Sequence, residues 1–227
     1  MSIELFEQYG LTLSQQQEEM LEKYADLLVE WNQKFNLTAI TQRDEIYLKH
    51  FLDCLLLAKK LDKDIALVDV GSGAGFPGIV IKIYRPDIKV TLLEPNNKKV
   101  TFLKEMISQL DLKDIEVYDD RAEDFSKDHY QQYDVVTARA VAALNILCEL
   151  CLPLVKVNGL FIAMKGPKAL EELDQAKNAI KTLSAEYISK DEFALDESTR
   201  IFLNIKKIGN TNKKYPRNYG QIKKRPL

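Results

Sequence analysis

Along the first sixty residues the hydrophobic positions recur at helical spacing. Met20, Leu21, Tyr24, Leu27, Leu28, Trp31 and Phe35 share one face of a stretch that opens at Ser14 and Gln17. Those two are spaced as a capping box, in which each side chain satisfies the other residue's backbone N–H. The pattern predicts an amphipathic helix there and a second from about Asp44 to Lys60, carrying Ile46, Tyr47, Phe51, Leu52, Leu55 and Leu56. Beyond residue 62 the rhythm shifts to short apolar runs. Strands are expected at "IALVDV", "IKVTLLE", "IEVYD", "YDVVTAR", "LFIAMK", "EYISKDEFAL" and "RIFLNIKKI", with helices near 76–84, 97–110, 144–151 and 168–182. Five β–α alternations imply an α/β fold, a mostly parallel sheet covered by helices on both faces. The last two strands follow one another without a helix and suit an antiparallel pair at one edge. The chain therefore divides into a helical extension over 1–62, an α/β domain over 63–210 and a tail over 211–227.

Charge adds one feature to this picture. The 227 residues carry a formal net charge of -2, but 211–227 holds six cations (Lys213, Lys214, Arg217, Lys223, Lys224, Arg225) and no acid, leaving 26 basic against 34 acidic residues before it. A mildly acidic body ends in a basic segment with Tyr215 and Tyr219 interleaved, a composition that neutralises phosphates and stacks on unpaired bases. The segment is expected to act on RNA and to be separable from any cofactor site. No apolar run reaches the ~20 residues of a membrane helix, and the acids Glu4, Glu7, Glu18 and Glu19 argue against a secretory leader. Three cysteines cannot all pair within the chain, and a reducing cytoplasm is the expected setting.

The candidate chemistry gathers at expected strand ends. After "IALVDV" comes "GSGAGFPG", with Gly71, Gly73 and Gly75 followed by Phe76, Pro77 and Gly78. A dinucleotide loop needs a third glycine where Phe76 stands, and a P-loop needs Gly-Lys-Ser/Thr, so neither fingerprint fits. Gly71 and Gly73 still let a ligand pack on the main chain, and Pro77 suits the first position of the next helix. Glu94 ends the second strand, 23 residues beyond Gly71, where a carboxylate accepts both hydroxyls of a ribose. After the third strand, Ala122 can lie under an adenine and Glu123 can take its exocyclic amine. Arg139 follows the fourth strand and Lys165 ends the fifth. Each of these alone is commonly a surface cap or an ion pair; their recurrence at successive strand ends is what points to a ligand.

The stretches "DVGSGAGFPG", "TLLEPNNKKVTFL", "RAEDF", "TARAVAAL" and "MKG" resemble the S-adenosylmethionine-dependent ribosomal RNA methyltransferases of the RsmG/GidB family. The resemblance extends to "EWNQKFNLTAI", "KHFLDCLLL" and "KKYPRNYGQIKKRPL", and so covers nearly the whole chain. It implies a Rossmann-like class I methyltransferase with a seven-stranded sheet, S-adenosylmethionine as methyl donor, and N7 of a guanine in 16S rRNA as acceptor, met as RNA or as a small-subunit particle by a monomeric enzyme. Gly71, Phe76, Ala122, Glu123 and Arg139 fall where the family meets its cofactor. Glu94-Pro95 departs from the Asp-Ser common at that turn.

The resemblance also places the helix bearing His50 and Asp53 beside the guanine, while the plain reading is an ion pair or a packed histidine. Lys165, with Lys213, Lys214 and Arg217 of the tail, is expected to meet RNA phosphates. Cys148, Cys151, His50 and Cys54 form a Cys₃His set on paper. The apolar context of "LNILCELCLPLV" favours packed cysteines instead, and no metal is expected. Nor is a general base, since guanine N7 carries a free lone pair. The alternatives are a methyltransferase for another RNA base or a small molecule, a non-catalytic RNA-binding module and, more distantly, a NAD-dependent oxidoreductase. Binding of S-adenosylmethionine against NAD separates them.

Overall fold

The computed structural model describes residues 2–195 and 198–227. The chain gathers into two compact units, one comprising Met1–Ile65 and Ser72–Asp119, the other Ala66–Gly71 and Asp120–Leu227. These cut across the linear division into extension, domain and tail. Seven strands form a sheet in the order β3-β2-β1-β4-β5-β7-β6, with β1 Ala66–Val70, β2 Lys89–Leu93, β3 Ile115–Tyr118, β4 Tyr133–Arg139, β5 Val155–Lys165, β6 Ala185–Leu195 and β7 Ser198–Lys207. β1 runs parallel to β4, β2 to β3 and β4 to β5, whereas β7 is antiparallel to both β5 and β6. The edge pair is thus antiparallel, as the missing helix between its strands requires.

In the first unit, α1 (Ser2–Gln8) precedes α2 (Gln15–Phe35). Both halves of the capping box form: the N–H of Gln17 donates to Ser14 Oγ at 3.3 Å, and the N–H of Ser14 to Gln17 Oε1 at 2.9 Å. The amide of Gln17 also donates to the carbonyls of Ile83 and Tyr84, which lie at the end of α5 (Gly78–Tyr84) and lack partners along their own helix. One side chain therefore closes two helix ends. α2 stops at Asn36, whose φ of 49° is left-handed. The second expected helix forms in three pieces: α3 (Arg43–Glu45), a π-helical turn over Ile46–Leu52 and α4 (Asp53–Ala58). His50 lies in the wide turn and Asp53 just beyond it, so the two do not share the simple three-residue spacing of an α-helix. α6 (Asn97–Gln109) is capped by the side chain of Asn96.

The second unit contains α7 (Ala122–Phe125), α8 (Leu144–Cys151), α9 (Ala169–Thr182) and α10 (Tyr219–Lys224). Neither α1, α7 nor α10 has a clear signal in the pattern of apolar residues. Lys207, fully buried, donates to the carbonyls of Leu152 at 3.2 Å and Leu183 at 2.8 Å and to the hydroxyl of Thr211. Those carbonyls end α8 and α9, so one ammonium gives a hydrogen to a carbonyl at each helix C-terminus and its third to Thr211. Burial nonetheless pushes its pKa down to about 8. Among the described residues no helix is long and apolar enough to cross a membrane.

Candidate functional site

In the first unit the loop Ser72–Pro77 joins β1 to α5, and its backbone needs glycine. Gly73 has φ +60° and Gly75 φ +95°; a Cβ on Gly75 would lie 2.6 Å from Ile79 Cδ1 and 2.7 Å from the hydroxyl of Tyr24. Helix α5 begins at Gly78, with Pro77 one position earlier than expected, as the capping residue. The loop is held from several sides. The N–H of Ser72 donates to the carbonyl of Leu93 at 3.0 Å, and the N–H groups of Gly75 and Phe76 donate to that of Ser72. Glu94, 5% exposed, accepts the N–H of Gly73 at 2.8 Å through Oε2 and that of Asn96 at 3.0 Å through Oε1. A carboxylate offers about four acceptor sites, so these two bonds leave capacity for a ligand. Glu94 thus positions the loop as well as standing at the strand end.

Phe76 points into an aromatic cluster, and its ring is 5% exposed. It stacks on Tyr24 at 5.4 Å and on His50 at 4.4 Å, with Phe51 at 6.2 Å. The ring is therefore spent on packing, and the main chain of Phe76 is the part suited to a ligand. His50 is 9% exposed, with Nε2 3.0 Å from Thr38 Oγ1. It is the packed histidine of the plain reading, brought against Phe76 through the fold alone.

In the second unit Gly71 has φ +74°, and a Cβ there would sit 2.6 Å from Val141 Cγ2; only glycine lets β1 turn into the loop beneath that side chain. Ala122, 8% exposed, and Glu123 open α7. Arg139 is the last residue of β4 and is half-buried. Lys165 is not free to hold a phosphate. Its side chain is 9% exposed, and Nζ lies 2.8 Å from Glu172 and donates to the carbonyl of Ala142 at 2.6 Å. Glu172 also accepts the N–H of Leu144, so the pair fixes the turn into α8.

The tail packs within the second unit. Tyr215 and Ile222 are buried, Asn218 caps α10, and the carbonyl of Thr211 accepts the hydroxyl of Tyr130 at 2.6 Å. Arg217 forks onto Glu149 of α8: Nε donates to Oε1 at 2.8 Å, Nη2 to Oε2 at 2.6 Å, and its own backbone N–H to Oε1 at 2.9 Å. Glu149 is completely buried. The guanidinium of Arg217, expected to meet a phosphate, is instead spent on Glu149, and the segment is packed into the second unit. Lys213, Lys214, Lys223, Lys224 and Arg225 remain exposed. Arg121, the residue before α7, lies over the ring of Tyr219 at 5.8 Å, within cation–π range.

All three cysteines are buried as free thiols. Burial pushes the thiols of Cys148 and Cys151 up, away from the thiolate form that metal ligation uses. Among the described residues no group of three or more His, Cys, Asp or Glu is arranged to hold a metal ion.

The model of the family described as rRNA small subunit methyltransferase G, GidB, matches residues 17–199. The chain belongs to this family. Curated members include the ribosomal RNA small subunit methyltransferase G of Bacillus subtilis (strain 168), 49% identical with 96% of this chain and 94% of the relative covered. That of Geobacillus sp. (strain WCH70) is 45% identical, covering 98% and 96%. Among solved structures, M. jannaschii TYW2 in complex with AdoMet is similar in fold, with TM-score 0.58, 15% identity and coverage of 69% of this chain and 75% of that one. The ribosomal protein L11 methylase of Lactobacillus delbrueckii subsp. bulgaricus gives 0.53 at 20% identity, covering 71% and 79%. As an RsmG/GidB protein the chain is an S-adenosylmethionine-dependent methyltransferase of small-subunit rRNA with a Rossmann-like class I fold.

Several residues of this RsmG/GidB chain escape a reading of its sequence. Tyr24 occupies a core position of an amphipathic helix, and nothing in its periodicity distinguishes it from Leu21 or Leu28. Glu149 sits in an apolar helix, where a lone acid is the only signal that a cation must come from elsewhere.

Proposed function

We propose that this chain methylates N7 of a guanine in 16S rRNA without a general base. The observation that carries this reading is the state of its two histidines. His50 is stacked on Phe76 and bonded to Thr38. His129 is stacked on Phe125 at 3.8 Å, with Nδ1 3.1 Å from that residue's carbonyl. Neither stands as a base poised for a substrate proton. S-adenosylmethionine supplies an electrophilic methyl group on its sulfonium; guanine N7 has a lone pair at neutral pH and loses no proton when it takes that methyl. What the chain must provide is alignment, with reacting atoms held near ~3 Å, which is catalysis by proximity.

Residue by residue, the cofactor assignment gives Gly71, Gly73 and the main chain of Phe76 the close approach of the ligand, and Glu94 its ribose hydroxyls through the acceptor sites left over. Ala122 and Glu123 take the adenine. Arg139 takes a carboxylate or phosphate, because a bare cation facing the guanine would oppose the charge that N7 gains. Lys213 and Lys214 of the tail, with Lys223, Lys224 and Arg225, supply phosphate contacts, and His50 borders the base as a packing surface.

The test is a pH profile. Single-turnover rates at saturating cofactor are expected to vary little between about pH 6.5 and 8.5, where a histidine base would titrate, and His50→Ala is expected to retain a clearly measurable rate. A tenfold rise per pH unit in the lower half of that window, lost in His50→Ala, would overturn the N7 assignment. Nucleoside mass spectrometry of rRNA from cells with and without the protein identifies the methylated base directly.

A further inference from the structure

Among the described residues, four of the five N–H groups of Ser72–Phe76 donate within the protein: Ser72 to Leu93, Gly73 to Glu94, and Gly75 and Phe76 to Ser72. The N–H of Ala74 donates to none of them. Its carbonyl, in contrast, is pinned, because Tyr24 of α2 donates its hydroxyl to that oxygen at 2.5 Å. Tyr24 is completely buried. Its ring is fixed by stacking on Phe76, with planes 15° apart, and by Phe51 at 5.3 Å. The helix that carries it is capped at both ends, by Ser14 with Gln17 and by Asn36. The hydroxyl thus sits at a position that the helix and two aromatic neighbours determine.

We infer that Tyr24 is a positioning residue for the cofactor loop: by holding the carbonyl of Ala74 it fixes the peptide between Ala74 and Gly75, whose N–H closes the turn onto Ser72, and so orders the turn that carries the N–H of Ala74, the loop's remaining donor for an anionic or polar group of the ligand. The inference rests on the reading of Ser72–Pro77 as the S-adenosylmethionine loop and extends it to α2, a helix with no place in that sheet. A buried carbonyl without a partner costs about as much as the lost bond or more. Once the hydroxyl is removed, the peptide between Ala74 and Gly75 gains by rotating toward another donor; its own N–H, which now donates to the carbonyl of Ser72 at 2.8 Å, turns with it, and the turn that carries the N–H of Ala74 loosens. The left-handed φ of Gly73 and Gly75 allows that rotation cheaply on either side.

Tyr24→Phe keeps the ring and its stacking while deleting the hydroxyl. The expected result is a rise of about tenfold in KM for S-adenosylmethionine, the size of one such bond, with kcat within twofold, KM for rRNA unchanged and the same loss of cofactor affinity in calorimetry. A purely structural role predicts a lowered thermal midpoint with KM for S-adenosylmethionine unmoved, and that outcome overturns the inference. So does a loss shared equally by KM for rRNA and kcat. Glu94→Ala in the same assays separates this inference from the reading beneath it. If Glu94→Ala loses cofactor binding and Tyr24→Phe does not, the loop binds the cofactor without help from Tyr24; if neither does, the loop itself is misassigned.

Discussion

Replacing Arg217 by alanine is expected to destabilise the fold by about 3 kcal/mol, the lower end of the cost of breaking a buried ion pair by removing one partner. The carboxylate of Glu149 is completely buried, and Arg217 supplies two of its hydrogen bonds through the guanidinium and a third through the main chain. The main-chain bond survives the substitution, which places the effect at the low end. Most of the loss is the stranded charge, so a second change should restore it. Arg217→Met combined with Glu149→Leu is expected to recover most of the stability, since a matched apolar pair leaves no charge to desolvate. Urea unfolding of the parent, the single variant and the double variant measures both quantities. A loss under 1 kcal/mol in Arg217→Ala, or a double variant no better than the single, would show that the pair does not hold the segment. Removal of 211–227 strands the same carboxylate, so a truncated protein reports lost stability together with any loss of the RNA contacts proposed for the segment.

Glu94→Ala is expected to lower affinity for S-adenosylmethionine by one to two orders of magnitude, corresponding to about 1.5–3 kcal/mol for hydrogen bonds to a charged group. Two effects combine. The acceptors proposed for the ribose disappear, and the N–H groups of Gly73 and Asn96 lose the carboxylate that now orders them. Glu94→Gln divides these effects, because an amide oxygen can still accept one of the two loop bonds while its NH₂ faces the other donor. An intermediate affinity is expected, and calorimetry on both variants measures it. Unchanged affinity in Glu94→Ala would remove this residue from the cofactor site.

The architecture was legible because two periodicities carry it. Alternating short apolar runs marked all seven strands to within a few residues, apart from an earlier start to β5, and helical spacing marked α2. What stayed hidden is non-local. Lys165 and Arg217 read as cations at a ligand edge, since a lysine after a strand and an arginine in a basic segment carry no sign of their partners. Glu172 lies seven residues from Lys165, and Glu149 lies 68 from Arg217. Phe76 breaks the dinucleotide fingerprint in the sequence, but its ring belongs to the cluster of Tyr24, His50 and Phe51. That cluster joins elements whose proximity no local pattern encodes. The π-helical turn at Ile46–Leu52 was invisible for a related reason, as the same apolar residues satisfy an α-helix equally well.

The membership of β1 in the second unit bears on how the protein is made. A ribosome releases this strand before the whole of the first unit's Ser72–Asp119 segment, yet its partner β4 begins only at Tyr133, where Leu67 finds Val135. Glu149 then waits through a further 68 residues for its guanidinium. The growing chain therefore carries β1 without its β4 neighbour, and then an uncompensated acid, for much of its synthesis. It resolves the first when β4 emerges and the second only when Arg217 does, so the second unit closes late in synthesis and not segment by segment along the way.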